Sequence, residues 1–133
     1  MPGMNALPAL PACCTPLDDQ WLLPQVLPDT LLLSTRFDPL LLSADDFPNS
    51  AIEPPASIQR SVAKRQAEFL AGRICARAAL HQLDGQTCVP AIGDDRAPVW
   101  PAHVSGSITH STGRAAAIVA RKHHWQGLGM DLE

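Results

Sequence analysis

The sequence has no C-x-x-C pair and no Cys/His spacing of the kind that holds zinc, although four cysteines are present (Cys13, Cys14, Cys75 and Cys88). Adjacent Cys13 and Cys14 cannot easily bridge each other. The thiols therefore read as reduced, and the protein as cytoplasmic. No apolar run reaches the roughly 18 residues of a membrane span. The N-terminus lacks a basic leader region, and its prolines interrupt the apolar stretch, so a secretory signal is not expected. There is no excess of positive charge. The formal net charge of −3 argues against a general nucleic-acid binder. Internal repeats are absent, and the one biased tract is a Pro-rich start.

The chain has 133 residues, 46% of them hydrophobic and 17% charged, which is the composition of a globular domain or of part of a larger one. Its charge is uneven. Seven of the 13 acids lie before residue 60 with Arg36 as the lone base, and the other nine bases face six acids after it. An anionic ligand would favour the second half.

Pro2, Pro8, Pro11, Pro16, Pro24 and Pro28 forbid a long helix, so residues 1–29 are expected to form an irregular arm packing leucines and Trp21 on the body. Thr30 to Phe37 reads as a strand closed by Asp38-Pro39. Ser57 is a candidate N-cap for a long helix over Ile58 to Leu83, ended by Asp84-Gly85. Ala63, Ala67, Leu70, Ala71, Ile74 and Ala78 share one face of it. Ile58, Val62, Phe69, Ala76 and Leu80 lie roughly opposite, the pattern of a helix between two layers. Its bases (Arg60, Lys64, Arg65, Arg73 and Arg77) form no single stripe and read mostly as solvated surface. Thr87 to Ile92 and Ala115 to Ala120 read as strands, and Val99-Trp100-Pro101 leads into Val104 to Ser111. The fold class is therefore α+β, a long helix packed on a small antiparallel sheet.

The last residues, Leu128-Gly129-Met130-Asp131-Leu132-Glu133, form an apolar, strand-like run carrying two acids. On a strand, residues i and i+2 share a face, so Asp131 and Glu133 would project together. Paired carboxylates suit a hard divalent ion such as Mg²⁺, which is often shared with substrate phosphates. Upstream, Gly106-Ser107-Ile108-Thr109-His110-Ser111 combines small residues, hydroxyls and one imidazole, a composition read as a phosphate-friendly loop. With the arginines, these features suggest a diphosphate ligand held with Mg²⁺.

Four segments in order resemble the motifs of the phosphopantetheinyl transferases: Lys64-Arg65-Gln66-Ala67-Glu68-Phe69-Leu70-Ala71-Gly72-Arg73, Arg96-Ala97-Pro98-Val99-Trp100-Pro101, Gly106 to Ser111 and Leu128 to Glu133. The resemblance is to the larger, pseudo-dimeric class and closest to its enterobactin-synthetase branch. It covers about Leu31 to Glu133 and is specific from Lys64 onward. It implies Mg²⁺-dependent transfer of the 4′-phosphopantetheine arm of coenzyme A to a serine of an acyl, peptidyl or aryl carrier protein, with 3′,5′-ADP as the other product. It further implies that Arg65 and Arg73 lie near the nucleotide end of coenzyme A, with Arg96 adding positive charge. Thr109 and His110 would contact its phosphates, and Asp131 and Glu133 would bind the metal.

The sequence departs from this class in length, being roughly half of it. It also lacks the W-x-x-K-E-A-like motif that supplies a third carboxylate and a lysine; Glu68 and Lys122 have the wrong neighbours to replace them. Nor is it the small trimeric class, in which the metal motif opens the chain. The expectation is that residues 30–133 form the N-terminal lobe of a pseudo-twofold, two-lobed fold, inactive without its C-terminal lobe. A non-catalytic module binding coenzyme A or a carrier protein is the alternative. A metal-dependent phosphohydrolase is disfavoured because neither a third acid nor a base for water is placed nearby.

Overall fold

A computed structural model describes residues 7–23, 28–93 and 97–122. Strand β1 (Thr30–Arg36) is followed by a 3₁₀ turn (Pro39–Leu41) and two short helices, α1 (Asp46–Asn49) and α2 (Ala56–Gln59). The long helix α3 (Ala63–Asp84) comes next. After it lie the two-residue strands β2 (Ala91–Ile92) and β3 (Pro98–Val99), then β4 (Val104–Ser111) and β5 (Arg114–Arg121). The main sheet is antiparallel in the order β1-β5-β4, and β2 pairs with β3 in a separate ribbon. This is the expected α+β arrangement of a long helix with small antiparallel sheets.

The register determines what meets the helix. Leu33, Ala117 and Ile108 are aligned across β1, β5 and β4, as are Thr35, Ala115 and His110 at the next step of that face. Ala117 and Ile108 pack with Cys75 and Ala76 of α3, while Leu33 and Val119 pack with Ala78, Ala79 and Leu80. Leu32 and Ile118, which alternate to the other face, are buried as well. Burial on both faces explains why β5 reads as the unbroken apolar run Ala115 to Ala120. On the far side of α3, Leu70, Ile74 and Phe69 join Phe47, Ile52 and Ile58. Every residue of α3 from Ala67 to Leu80 is buried, as a helix between two layers requires.

Three expectations need correction. The long helix is interrupted: α2 ends at Gln59 with Arg60 as its cap, Val62 is extended, and Ser57 lies within α2 rather than capping α3. The Gln66 side-chain amide donates across the break to the carbonyls of Ile58, which also accepts from the Ser61 N–H, and Gln59. At the other end Gly85, at φ 81°, takes the left-handed cap position and donates to His81, as the Asp84-Gly85 pair suggested. The strand expected over Thr87 to Ile92 shortens to Ala91–Ile92. Finally, Arg73 and Arg77 are buried, not solvated. The Arg73 Nε–H donates to the Pro90 carbonyl and Arg77 donates to the Ser50 carbonyl, so each guanidinium has a backbone acceptor in the second layer.

Within the described part of the Pro-rich arm, residues 14–18 dock on the body along β1 and Phe37. Cys14 bridges Phe37, and Asp18 exchanges backbone hydrogen bonds with Ser34. Cys13 and Cys14 are buried in the core and Leu17 packs against it. The four cysteines are free. No helix among the described residues is long and apolar enough to cross a membrane.

Candidate functional site

Helix α3 packs on the sheet and meets strand β4 at a small groove. Its walls are Arg65, Glu68, Phe69, Gly72 and Arg73 of α3, Ile108 and His110 of β4, and Ile92 and Pro98 of the ribbon, around about 130 Å³. The spacing of Arg65, Glu68 and Gly72 along α3 puts them on neighbouring turns. Ile108 and His110 share a face of β4 because strand side chains alternate.

The groove is tight because α3 carries no side chain at its closest approach to β4. A Cβ built on Gly72 would lie 2.8 Å from Cγ2 of Ile108. Strand β4 is itself pressed by Trp100: a Cβ on Gly106 would lie 2.5 Å from the indole Cε2. These two glycines set how near the arginines of α3 come to His110.

Arg73 sits deepest. It is 6% exposed, and its guanidinium carbon lies 4.6 Å from the centre of the Phe69 ring. Burial, and secondarily the charge of Arg65, push its pKa down to about 10. Two guanidinium groups thus repel each other across the groove, and an anion between them would relieve that repulsion. Arg65 and His110 stand at the rim, their side chains 46% and 41% exposed.

Below the rim lies Glu68, a residue the sequence reading did not assign to the site. Its Oε2 is 3.7 Å from Arg65 Nη1 and 3.4 Å from His110 Nδ1. The first contact was legible as an i, i+3 pair on a helix. The second depends on how β4 packs on α3, and no local signal carries it.

Of the predicted site residues, the fold brings Arg65, Arg73 and His110 together. Thr109 is not with them: it belongs to strand β4, not to a loop, and alternates to the opposite face from His110. Arg96, Asp131 and Glu133 lie outside the described residues. Among the described residues no group of three or more His, Cys, Asp or Glu side chains could hold a metal ion. Glu68 supplies one groove carboxylate already engaged by two bases, so the described residues do not by themselves fit Mg²⁺.

Larger hollows flank the groove. One, of about 430 Å³, is lined by Ile52, Pro54, Pro55, Phe69, Val89 and Pro90 among others, and shares Phe69 and Ile92 with the groove. It is mostly apolar and carries no cluster of reactive side chains.

Residues 53–120 match the 4′-phosphopantetheinyl transferase N-terminal domain, which is just over half of the chain and includes α3, β4 and the groove. The chain belongs to this family of transferases. It is similar to enterobactin synthase component D of Escherichia coli O157:H7, with 50% identity over 78 residues, 59% of this chain and 35% of that protein. It is also similar to the 4′-phosphopantetheinyl transferase Npt of Nocardia iowensis, with 38% identity over 91 residues, 66% of this chain and 41% of that one. For the 4′-phosphopantetheinyl transferase PptT of Mycobacterium tuberculosis the identity is 43% over 76 residues, 57% of this chain and 34% of that one. The chain thus spans well under half the length of the curated relatives it matches.

Proposed function

We propose that the α3–β4 groove binds the phosphate-bearing nucleotide end of coenzyme A, and that the chain is one lobe of an enzyme that transfers 4′-phosphopantetheine to a serine of an acyl, peptidyl or aryl carrier protein. The observation that carries this reading is the convergence of Arg65, Arg73 and His110 on one groove inside the family-matched segment. In the transfer, the serine oxygen forms a new P–O bond to the pantetheine-bearing phosphorus. The bond to 3′,5′-ADP breaks, and the hydroxyl proton leaves. Such a reaction depends mainly on alignment and on neutralising charge at the leaving group. Arg73, fixed by Pro90 and Phe69, would anchor a phosphate from below; Arg65 and His110 would close on it from the rim. Arg96 would add positive charge nearby. Thr109 faces away, and any contribution to phosphate binding would have to come through the strand backbone.

Asp131 and Glu133 would hold Mg²⁺, which would supply further neutralisation of the diphosphate. Replacing Asp131 by Ala in an enzyme of the relatives' full length should abolish Mg²⁺-dependent transfer; retained activity would remove the metal assignment. A siderophore pathway and a cytoplasmic location belong to the same proposal.

Because the chain spans well under half of its relatives, a second reading is favoured for the isolated polypeptide: binding of coenzyme A or a carrier protein without transfer. The test is to incubate the chain with an apo carrier protein, coenzyme A and Mg²⁺ and to weigh the intact carrier. No mass gain with coenzyme A still bound is the expected result for a lobe lacking its catalytic partner. A gain equal to phosphopantetheine would show that this chain suffices. Absence of both would remove the functional reading of the groove.

A further inference from the structure

Glu68 is a carboxylate only 9% exposed, and the two bases beside it are half exposed. Removing a carboxylate from water is costly, whereas partly exposed ion pairs return little. An apolar side chain of similar size at this position would pack between the same layers without that cost. Stability therefore does not account for an acid here, and orientation does.

We propose that Glu68 is a positioning residue: from beneath the groove its carboxylate holds the Arg65 guanidinium and the Nδ1 edge of the His110 ring, turning their remaining N–H edges toward an incoming phosphate group. The basic groups that line the groove with Glu68 are Arg65 and Arg73 from its own helix and His110 from β4; the described ribbon residues of the groove, Ile92 and Pro98, carry none. At 3.4 Å the Nδ1–Oε2 contact is at ion-pair distance; a small turn of the ring would let Nδ1–H donate to the carboxylate and leave Nε2 for the ligand. The ligand part of this inference rests on the coenzyme A reading; the orientation of the two bases can be read without any ligand.

The sign of the effect separates positioning from simple charge balance. If Glu68 merely lowered the positive potential of the groove, removing its charge would tighten anion binding. A positioning role predicts the reverse. Glu68→Met in the full chain should weaken coenzyme A binding, measured by calorimetry, by about two- to fivefold, the scale of a half-exposed ion pair. Glu68→Gln, which keeps an acceptor, should lie between that variant and the wild type. In a chain already carrying Arg65→Ala and His110→Ala, Glu68→Met should have no further effect, whereas a purely structural role would cost the same in both backgrounds.

The ligand-free readout is the ¹⁵N spectrum of the His110 ring. Its neutral form should carry the proton on Nδ1 in the wild type and shift toward Nε2 in Glu68→Met. An unchanged tautomer, or coenzyme A binding as tight as or tighter than wild type in Glu68→Met, overturns the proposal. A tautomer shift in a chain that does not bind coenzyme A supports the positioning and removes the coenzyme A reading instead.

Discussion

Gly72 and Ile108 meet where α3 lies closest to β4, and the missing Cβ of the one leaves room for Cγ2 of the other at 2.8 Å. That atom is bonded directly to the branched Ile108 Cβ and cannot swing aside as the tip of a long side chain would. Gly72→Ala should therefore push helix and strand apart and cost about 1–3 kcal/mol, despite the better helix propensity of alanine. Because Arg65 and Arg73 ride on the helix and His110 on the strand, coenzyme A binding should weaken as well. Adding Ile108→Ala should recover part of the stability that Gly72→Ala loses; urea denaturation of the two single variants and the double variant measures that coupling.

The arginine pair gives a second prediction, one that needs no nucleotide. Arg73 is destabilised by burial and by Arg65, and a multivalent anion in the groove would offset both. Inorganic pyrophosphate at fixed ionic strength should raise the melting temperature, with stabilisation approaching ~2.7 kcal/mol at a hundred times its dissociation constant. Arg65→Ala should remove most of this response. Arg73→Lys should remove it and also lower the unliganded stability by ~1–2 kcal/mol, because lysine cannot reproduce the fixed Nε–H bond to Pro90 together with the guanidinium contact on the Phe69 ring. An anion response unchanged in both variants would place the anion elsewhere.

Where side-chain period and turn chemistry speak locally, the sequence was a sufficient guide. Thr30 to Phe37 and Ala115 to Ala120 are apolar runs beside turn signals, and both form strands, β1 ending at Arg36 and β5 covering Arg114–Arg121. Gly85 ended the helix for a backbone reason that glycine alone announces. What escaped was decided by contacts between distant segments. The break before Ala63 is bridged by Gln66 reaching back to two carbonyls. The burial of Arg73 and Arg77 depends on the Pro90 and Ser50 carbonyls meeting α3 from the other layer, which a helical wheel cannot show. The groove itself was only half legible: the order of the four motifs pointed to Arg65, Arg73 and His110, but the pairing of His110 with Glu68 needed the packing of β4 on α3. Thr109 was grouped with His110 by adjacency, and strand alternation separates them.

Trp100 and Gly106 form the second close approach on β4. The indole lies so near the strand that a Cβ at Gly106 would come within 2.7 Å of Cδ2, Cε2 and Cζ2 alike. A whole ring face blocks the position, so no small rotation relieves the clash. Gly106→Ala should displace Trp100 from its packing on the cluster of Cys75, Ala76 and Ala117 and cost at least as much as Gly72→Ala. With Trp21 and Trp125 replaced by Phe, the remaining tryptophan reports this directly: its emission should move to longer wavelength in Gly106→Ala. Unchanged emission with unchanged stability would mean that the ring has another place to sit.

Cys75 gives the protein an alkaline limit. Its thiol is fully buried at the centre of α3, with Sγ 3.8 Å from the Ala115 carbonyl oxygen, and burial pushes its pKa from 9.0 up to about 12. Between these values the folded chain keeps the proton while the unfolded chain has lost it. Each step upward in pH then favours the unfolded state, so the contribution is intact below pH 9 and lost progressively from 9 toward 12. The slope for this one group is about 1.4 kcal/mol per pH unit. Cys75→Ala should be less stable than wild type at pH 7.5, by roughly 1 kcal/mol for the lost packing. That gap should narrow above pH 9 and close or reverse by about pH 10.5, because the alanine variant lacks this loss. Urea titrations of both proteins at several pH values measure the crossing, and taking the difference cancels every other titrating group. Parallel stability curves from pH 8 to 10.5 would show that the thiol is not held protonated by the core.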